Sequence, residues 1–433
     1  MSSYKLKCLL CHTEITDNYN IVCSCGKSGF YRTIYENRQF NPLNENNIWR
    51  FHEWLPVKSP PIQKSASSGK ESKSEAGKTV VYKSKGFAKE LGLQNLFIAF
   101  NGYWPEKKAN ILTGTFKGLE APPSISRAKE NGVKRILLVT AGNTGRAFAE
   151  ETINQNFEVL IVAAKSANSR LWTTKEINEN NVKYITLANG NDYTNAIELG
   201  KRICNEIGVE TEGGARNIAR RDGMGTCFLE GVAEIGKIPK HYFQAIGSGT
   251  GGIAAWEASI RLIEDGRFGD QPARLHLSQN SRFAPIVHAW KARRNQIINE
   301  DFRIPPHEMS SLFAEVLANR TPSYSIDGGV YQALSDTNGE MYAVSEDEAK
   351  NAMKFIYQTE EIDIVPPAAV AIASLIQAVE QEKINPNELV LLNITGGGIE
   401  RLKEDFELIP LKPVIEVKNP QTDLVEIAET CIH

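Results

Sequence analysis

The feature that most constrains this chain is a series of short apolar runs: Ile136–Thr140, Val159–Ala164, Tyr242–Gly247, Leu275–Gln279 and Leu389–Thr395. Each is too short for a typical buried helix, and several end in glycine-rich or small polar residues. They read as strands buried on both faces. Between them lie amphipathic stretches such as Asn195–Ile207 and Ile253–Glu264. Strands alternating with helices predict parallel-rich sheets covered on both sides, an α/β fold. Ligands of such sheets sit beyond the carboxyl ends of the strands. A length of 433 residues allows two or three domains with real cores.

Composition excludes several classes. A formal net charge of −3 gives no electrostatic footprint for nucleic acid. No apolar run is long enough to span a bilayer. Met1–Leu10 lacks the apolar core and cleavage site of a signal peptide, so a cytoplasmic protein is expected. Lys64–Lys78 has no apolar residue larger than alanine and is expected to be a mobile loop or linker.

The chemistry-bearing motifs lie mostly at the predicted strand ends. Thr140-Ala141-Gly142-Asn143-Thr144-Gly145 follows one strand and opens a helix near Arg146, where free amides and the helix dipole favour an anion. Gly247-Ser248-Gly249-Thr250-Gly251-Gly252 follows another strand and precedes a helix expected from Ile253. This second loop also fits G-x-G-x-x-G, but the next strand ends in Ser278-Gln279-Asn280, without the acid that would hold a dinucleotide ribose. A lone phosphate monoester suits it better. Lys117 lies in Thr113–Pro123, a small, partly apolar segment where a lysine of lowered pKa can form a Schiff base; a solvated surface lysine is the plain alternative. Thr395, followed by Gly396-Gly397-Gly398, puts a hydroxyl at a strand end. Arg216, Arg220 and Arg221 are candidates for contact with an anionic substrate or leaving group, with an exposed basic helix face as the alternative.

Four cysteines form an N-terminal cluster, Cys8-x-x-Cys11 and Cys23-x-Cys25. Their spacing suits a tetrahedral structural zinc, with His12 as a possible substitute ligand. A zinc-ribbon protein with a catalytically idle large domain is the competing class.

In this order, the lysine, the Gly-Asn-Thr-Gly loop, the arginine-rich segment, the glycine loop and the Thr-Gly pair resemble the threonine synthase family of fold type II pyridoxal-phosphate enzymes, from about Val80 to Glu404. The resemblance implies a tryptophan-synthase-β-like fold with two three-layer α/β domains. A zinc-ribbon-like module would span residues 1–35, a large cofactor domain 36–138 and 245–433, and a small domain 139–244. It also implies roles: Lys117 carries the cofactor, Asn143 bonds the pyridoxal 3′-oxygen, Gly247, Ser248, Gly249, Thr250 and Gly251 hold its phosphate, and Thr395 meets the ring nitrogen. Thr140, Ala141, Gly142, Thr144 and Gly145 would bind the substrate, with Arg216, Arg220 and Arg221 nearby. Threonine synthases usually carry Ser-Phe-Lys-Asp-Arg around the lysine, whereas this chain reads Thr115-Phe116-Lys117-Gly118-Leu119-Glu120. That departure, with Ala121-Pro122-Pro123 following, resembles the cysteate synthase branch. It implies replacement of the phosphate of O-phospho-L-serine by sulfite, in coenzyme M biosynthesis. Threonine synthesis from O-phosphohomoserine, or another β/γ-replacing lyase, is the alternative. Family members often form homo-oligomers.

Overall fold

The structure is a computed structural model that describes residues 3–26, 29–64, 71–73 and 76–431. Its main sheet has six strands in the order Glu340–Val344, Arg274–Asn280, His241–Ala245, Val390–Ile394, Leu96–Phe100 and Val80–Lys83. All pairs are parallel except the last, where Val80–Lys83 runs antiparallel to Leu96–Phe100. Neighbouring residues on a strand serve opposite faces, as a period of two requires. Tyr242 and Leu391 join one core with the helices Ile218–Ile235 and Thr250–Asp265, while Phe243 and Leu392 join another with the almost wholly apolar helix Pro366–Glu380.

A second sheet holds five parallel strands, ordered Glu210–Thr211, Arg135–Val139, Glu158–Ala164, Val182–Leu187 and Ile415–Val417. Leu138 and Ile161 face one core, Leu137 and Leu160 the other. Both sheets therefore carry apolar layers on both faces, and this is why their strands read as continuous apolar runs.

The sheet membership differs from the expected division at three places. The cut at 138/139 falls within the strand Arg135–Val139, which belongs to the second sheet. The strand His241–Ala245, expected to straddle the other boundary, lies inside the main sheet. The strand Ile415–Val417 returns from the C-terminal region to pair with Val182–Leu187. Apolar runs reveal that a strand exists, but its neighbour is set by crossovers that carry no local signal.

The N-terminal module is a three-stranded antiparallel sheet, with Tyr4–Cys8 between Glu14–Ile15 and Tyr31–Tyr35. Arg127 Nε donates to Asp17 Oδ2 at 2.7 Å, and the hydroxyls of Thr33 and Tyr35 each donate to Asp222 Oδ2 at 2.7 Å, so buried charges fasten this module to the body. Residues 65–70 and 74–75 of the expected mobile segment lie outside the described residues; nearby, Ile62–Lys64 pairs with Glu71–Lys73 as a short hairpin. No helix among the described residues is long and apolar enough to cross a membrane.

Candidate active site

The carboxyl ends of both sheets open on one cavity of about 800 Å³, lined among others by Lys117, Asn143, Arg220, Ser248 and Thr395. Lys117 lies in a single 3-10 turn, Phe116–Leu119. That turn is tied to the end of strand Val390–Ile394: Phe116 N donates to Thr395 O at 3.0 Å, and Thr115 bridges Gly396. Lys117 and Thr395, far apart in sequence, are thus positioned by one short backbone junction. Lys117 Nζ stands 4.7 Å from the Phe116 ring centroid and 3.4 Å from Glu120 Oε2. Burial pushes its amine below the usual lysine value, and the Glu120 carboxylate opposes that shift.

Glu120 is a site residue that the sequence revealed only as a departure from a family pattern. It is fully buried. Arg220 bridges it to a second buried acid, with Nη2 3.1 Å from Glu120 Oε1 and Nη1 2.7 Å from Glu212 Oε2. The same Arg220 Nη2 donates to Thr144 Oγ1 at 3.1 Å. Lys117, Glu120, Arg220 and Glu212 form an alternating chain of charge, of which Lys117, Arg220 and Glu212 line the cavity while the buried Glu120 is not part of its lining. The signal available in the sequence was the i, i+3 spacing of Lys117 and Glu120 across one tight turn.

The two anion-type loops take different forms. After Arg135–Val139, the Thr140 hydroxyl accepts from Gly142 N at 2.9 Å and Gly145 N at 3.0 Å, and a helix runs from Asn143 to Gln155. Two amides expected to face the substrate are therefore used internally. Thr140, Ala141, Asn143 and Thr144 line the cavity, while Gly142 and Gly145 are not part of its lining. After His241–Ala245, the helix begins at Thr250, earlier than expected, because Gly249 at φ +91° caps it in the left-handed region. A Cβ on Gly249 would stand 2.0 Å from Val330 Cγ2, and one on Gly251 would stand 2.1 Å from Gln244 Nε2. Ser248 Oγ and Thr250 Oγ1 are 2.8 Å apart beside this bare backbone.

Of the three arginines in the basic segment, Arg216 and Arg220 line the cavity. Arg221 does not. It is 1% exposed, its Nε donates to Glu257 Oε2 at 2.9 Å, and its Nη atoms donate to the carbonyls of Ala215 and Tyr31. The expected anion contact at Arg221 is replaced by an internal ion pair, because the helix turns this position toward the core.

The sulfur atoms of Cys8, Cys11, Cys23 and Cys25 lie within 4.8 Å of one another, a grouping that can hold a metal ion. Ile21, Val22 and Phe30, near the last cysteines and from the same module, form part of the cavity wall. Sequence patterns gave no hint of that contribution.

The cavity suits pyridoxal phosphate on its donor set. It offers a buried amine, a sixteen-residue helix whose N-terminus carries two hydroxyls and side-chain-free backbone for a phosphate, and hydroxyl and amide side chains around the remaining space.

Comparison with known proteins agrees. The sequence profile of the pyridoxal-phosphate dependent enzymes matches residues 73–396. A cysteate synthase of Methanosarcina barkeri is 47% identical over 428 residues, covering 99% of this chain and 100% of that protein. One of Methanocella paludicola is 45% identical over 430 residues, covering 99% and 97%. Among solved structures, maize serine racemase superposes with a TM-score of 0.55 at 15% identity, over 76% of this chain and 91% of that one. The serine racemase of Dictyostelium discoideum superposes with a TM-score of 0.55 at 17% identity, over 74% and 92%. These two report the fold alone. With the profile match and two near-full-length relatives, the chain belongs to the pyridoxal-phosphate-dependent enzymes and, among them, to the cysteate synthase family.

Proposed function

We propose that this enzyme forms L-cysteate by replacing the phosphate of O-phospho-L-serine with sulfite. The observation that carries the reading is the near-full-length identity to cysteate synthases, in a chain whose Lys117, glycine loop and Thr395 meet at one cavity. In this reading Lys117 anchors the cofactor, Gly247–Gly251 with Ser248 and Thr250 hold its phosphate, and Asn143 and Thr395 orient its ring. Bound pyridoxal phosphate supplies an electron sink that lets the substrate α-hydrogen leave as a proton. Thr395 offers a neutral hydroxyl where a carboxylate would hold a ring proton, which favours loss of a β-leaving group over fuller delocalisation of charge.

Lys117 Nζ takes the α-proton and later returns it. Glu120, 3.4 Å away, stabilises the ammonium that holds the proton in the interval. Arg220 pairs with both Glu120 and Glu212 and holds the Glu120 carboxylate in place beside Lys117. Thr140, Ala141 and Thr144 face the substrate, and Arg216 adds positive potential. The four cysteines hold a structural zinc, since four protein thiolates leave no open position.

The test supplies phosphoserine with sulfite in one reaction and phosphohomoserine with water in another. Cysteate with stoichiometric phosphate from the first is expected. Threonine from the second with no cysteate from the first would refute the reading.

A further inference from the structure

A second cavity, of about 550 Å³, lies behind Asn143 and shares Asn143, Val316, Val365 and Pro367 with the first. Its charged lining residues are Arg146, Arg170 and Lys403, against the single carboxylate of Glu315. Glu315 is engaged by Arg170, with Nη1 at 2.9 Å.

Arg146 is the unusual member. It is 4% exposed, yet none of the ion pairs among the described residues includes it. The acid one turn along its own helix, Glu150, is directed elsewhere: its two oxygens accept from Thr174 N at 2.8 Å and Thr174 Oγ1 at 2.5 Å. Arg146 lies over the Trp172 ring at 4.2 Å, and its polar contacts among the described residues are long, 3.3 Å to Asn143 Oδ1 and 3.5 Å to Arg170 O. Among the described residues, its buried Nε has no hydrogen-bond partner, and neither has Nη2 of Arg170. Burial and the neighbouring Arg170 push the Arg146 guanidinium down to about 9, with the Glu150 charge opposing them. A buried cation beside a second cation is costly unless an anion joins them.

The pair is also tied to the loop at the first cavity. Arg170 Nε donates to Ala141 O at 2.8 Å, and its side chain lies where a Cβ on Gly142 would be 2.6 Å away. Gly142, at φ +123°, leaves room for it.

We propose that Arg146 and Arg170 form a subsite for an inorganic oxyanion of the sulfite or phosphate type, separated from the reacting centre by Asn143. The proposal rests on the reaction assigned above, in which one oxyanion arrives and another departs. Planar guanidinium forks match the oxygens of either ion. Partial occupation of Arg170 by Glu315 leaves its Nη2 for the anion.

The test titrates cofactor-loaded enzyme, without amino acid, with sulfite, with inorganic phosphate and with chloride at matched ionic strength, reading the thermal midpoint. A saturable rise with an oxyanion and none with chloride is expected. Arg146→Gln should weaken that binding about tenfold or more and raise KM for sulfite by a similar factor, with a much smaller change in KM for phosphoserine. Arg170→Gln is the second variant, should Arg146→Gln fold poorly. A response to sulfite alone assigns the subsite to the nucleophile, to phosphate alone the leaving group, and to both a shared site. Oxyanion binding that is absent from the wild type, or equal in wild type and variants, overturns the proposal. Because the titration needs no turnover, it remains decisive even if the enzyme makes no cysteate.

Discussion

Replacing Glu120 by Gln removes a negative charge 3.4 Å from Lys117 Nζ while keeping the side chain's shape. At an effective dielectric of about 20, a unit pair at that separation interacts by roughly 5 kcal/mol. The Lys117 side chain is 20% exposed, so water screens part of this, and about 1.4 kcal/mol corresponds to one pKa unit. Loss of the carboxylate is therefore expected to lower the Lys117 pKa further below the ordinary lysine value. Arg220 acts in the same direction, since the loss of Glu120 leaves its charge less compensated near the amine. The assay is competitive labelling of the Lys117 amine in cofactor-free protein across pH, read by mass spectrometry. A general loss of structure would expose the amine and move its midpoint up toward the ordinary lysine value, whereas Glu120→Gln should move it down. An unchanged or raised midpoint in folded E120Q protein would refute the coupling of Glu120 to Lys117.

Other perturbations test other parts of the structure. Arg221→Met should cost about 3 kcal/mol in urea unfolding, because it leaves the buried Glu257 with the longer Arg32 contact at 3.5 Å and the more distant charge of Arg261, while kcat/KM of the folded fraction stays near wild type. Gly249→Ala forces a side chain into left-handed backbone 2.0 Å from Val330, and should weaken cofactor affinity measured by absorbance titration at least about tenfold; unchanged affinity would remove Gly249 from the cradle. Changing Cys8 and Cys11 to Ser should abolish bound metal in elemental analysis and raise substrate KM, since Ile21, Val22 and Phe30 wall the cavity. His276, buried between His241 and Tyr342, is held well below its ordinary value of 6.5, by burial first and then by His241. The unfolded chain therefore binds the extra proton as pH falls below about 6.5, and stability measured by denaturant should decline from pH 7 toward 5. His276→Gln should flatten that slope.

How far the sequence was legible depended on whether a property was local. The five apolar runs mark strands that form where expected, to within one or two residues at most ends, because burial on both faces is written into each run. The strands Leu96–Phe100 and Glu340–Val344 are no shorter than three of these five, and the wholly apolar Leu96–Phe100 carries the same local signal. The start of the glycine-loop helix lay three residues ahead of the expected position, as a left-handed Gly249 cap is a matter of backbone conformation rather than composition. Glu120 escaped recognition for a different reason. A carboxylate beside a lysine gains meaning only when both are buried, and burial of the turn Phe116–Leu119 depends on its junction with Thr395.

The arginines make the same point about charge. Arg216, Arg220 and Arg221 form the visible basic cluster, yet the fold gives Arg220 two acids and Arg221 a third. Arg146 lies at a helix start, and the fold gives it an aromatic face and, among the described residues, no ion pair, with Glu150 acting on it only at longer range. A cation serves a ligand to the extent that folding leaves it without a protein counter-charge. Sequence spacing counts the cations, but pairing depends on acids contributed by distant segments: Glu120 and Glu212 for Arg220, Glu257 for Arg221. The unpaired charge of Arg146, beside an Arg170 that Glu315 engages through one nitrogen only, is what the proposed oxyanion subsite draws on, rather than the local density of arginine.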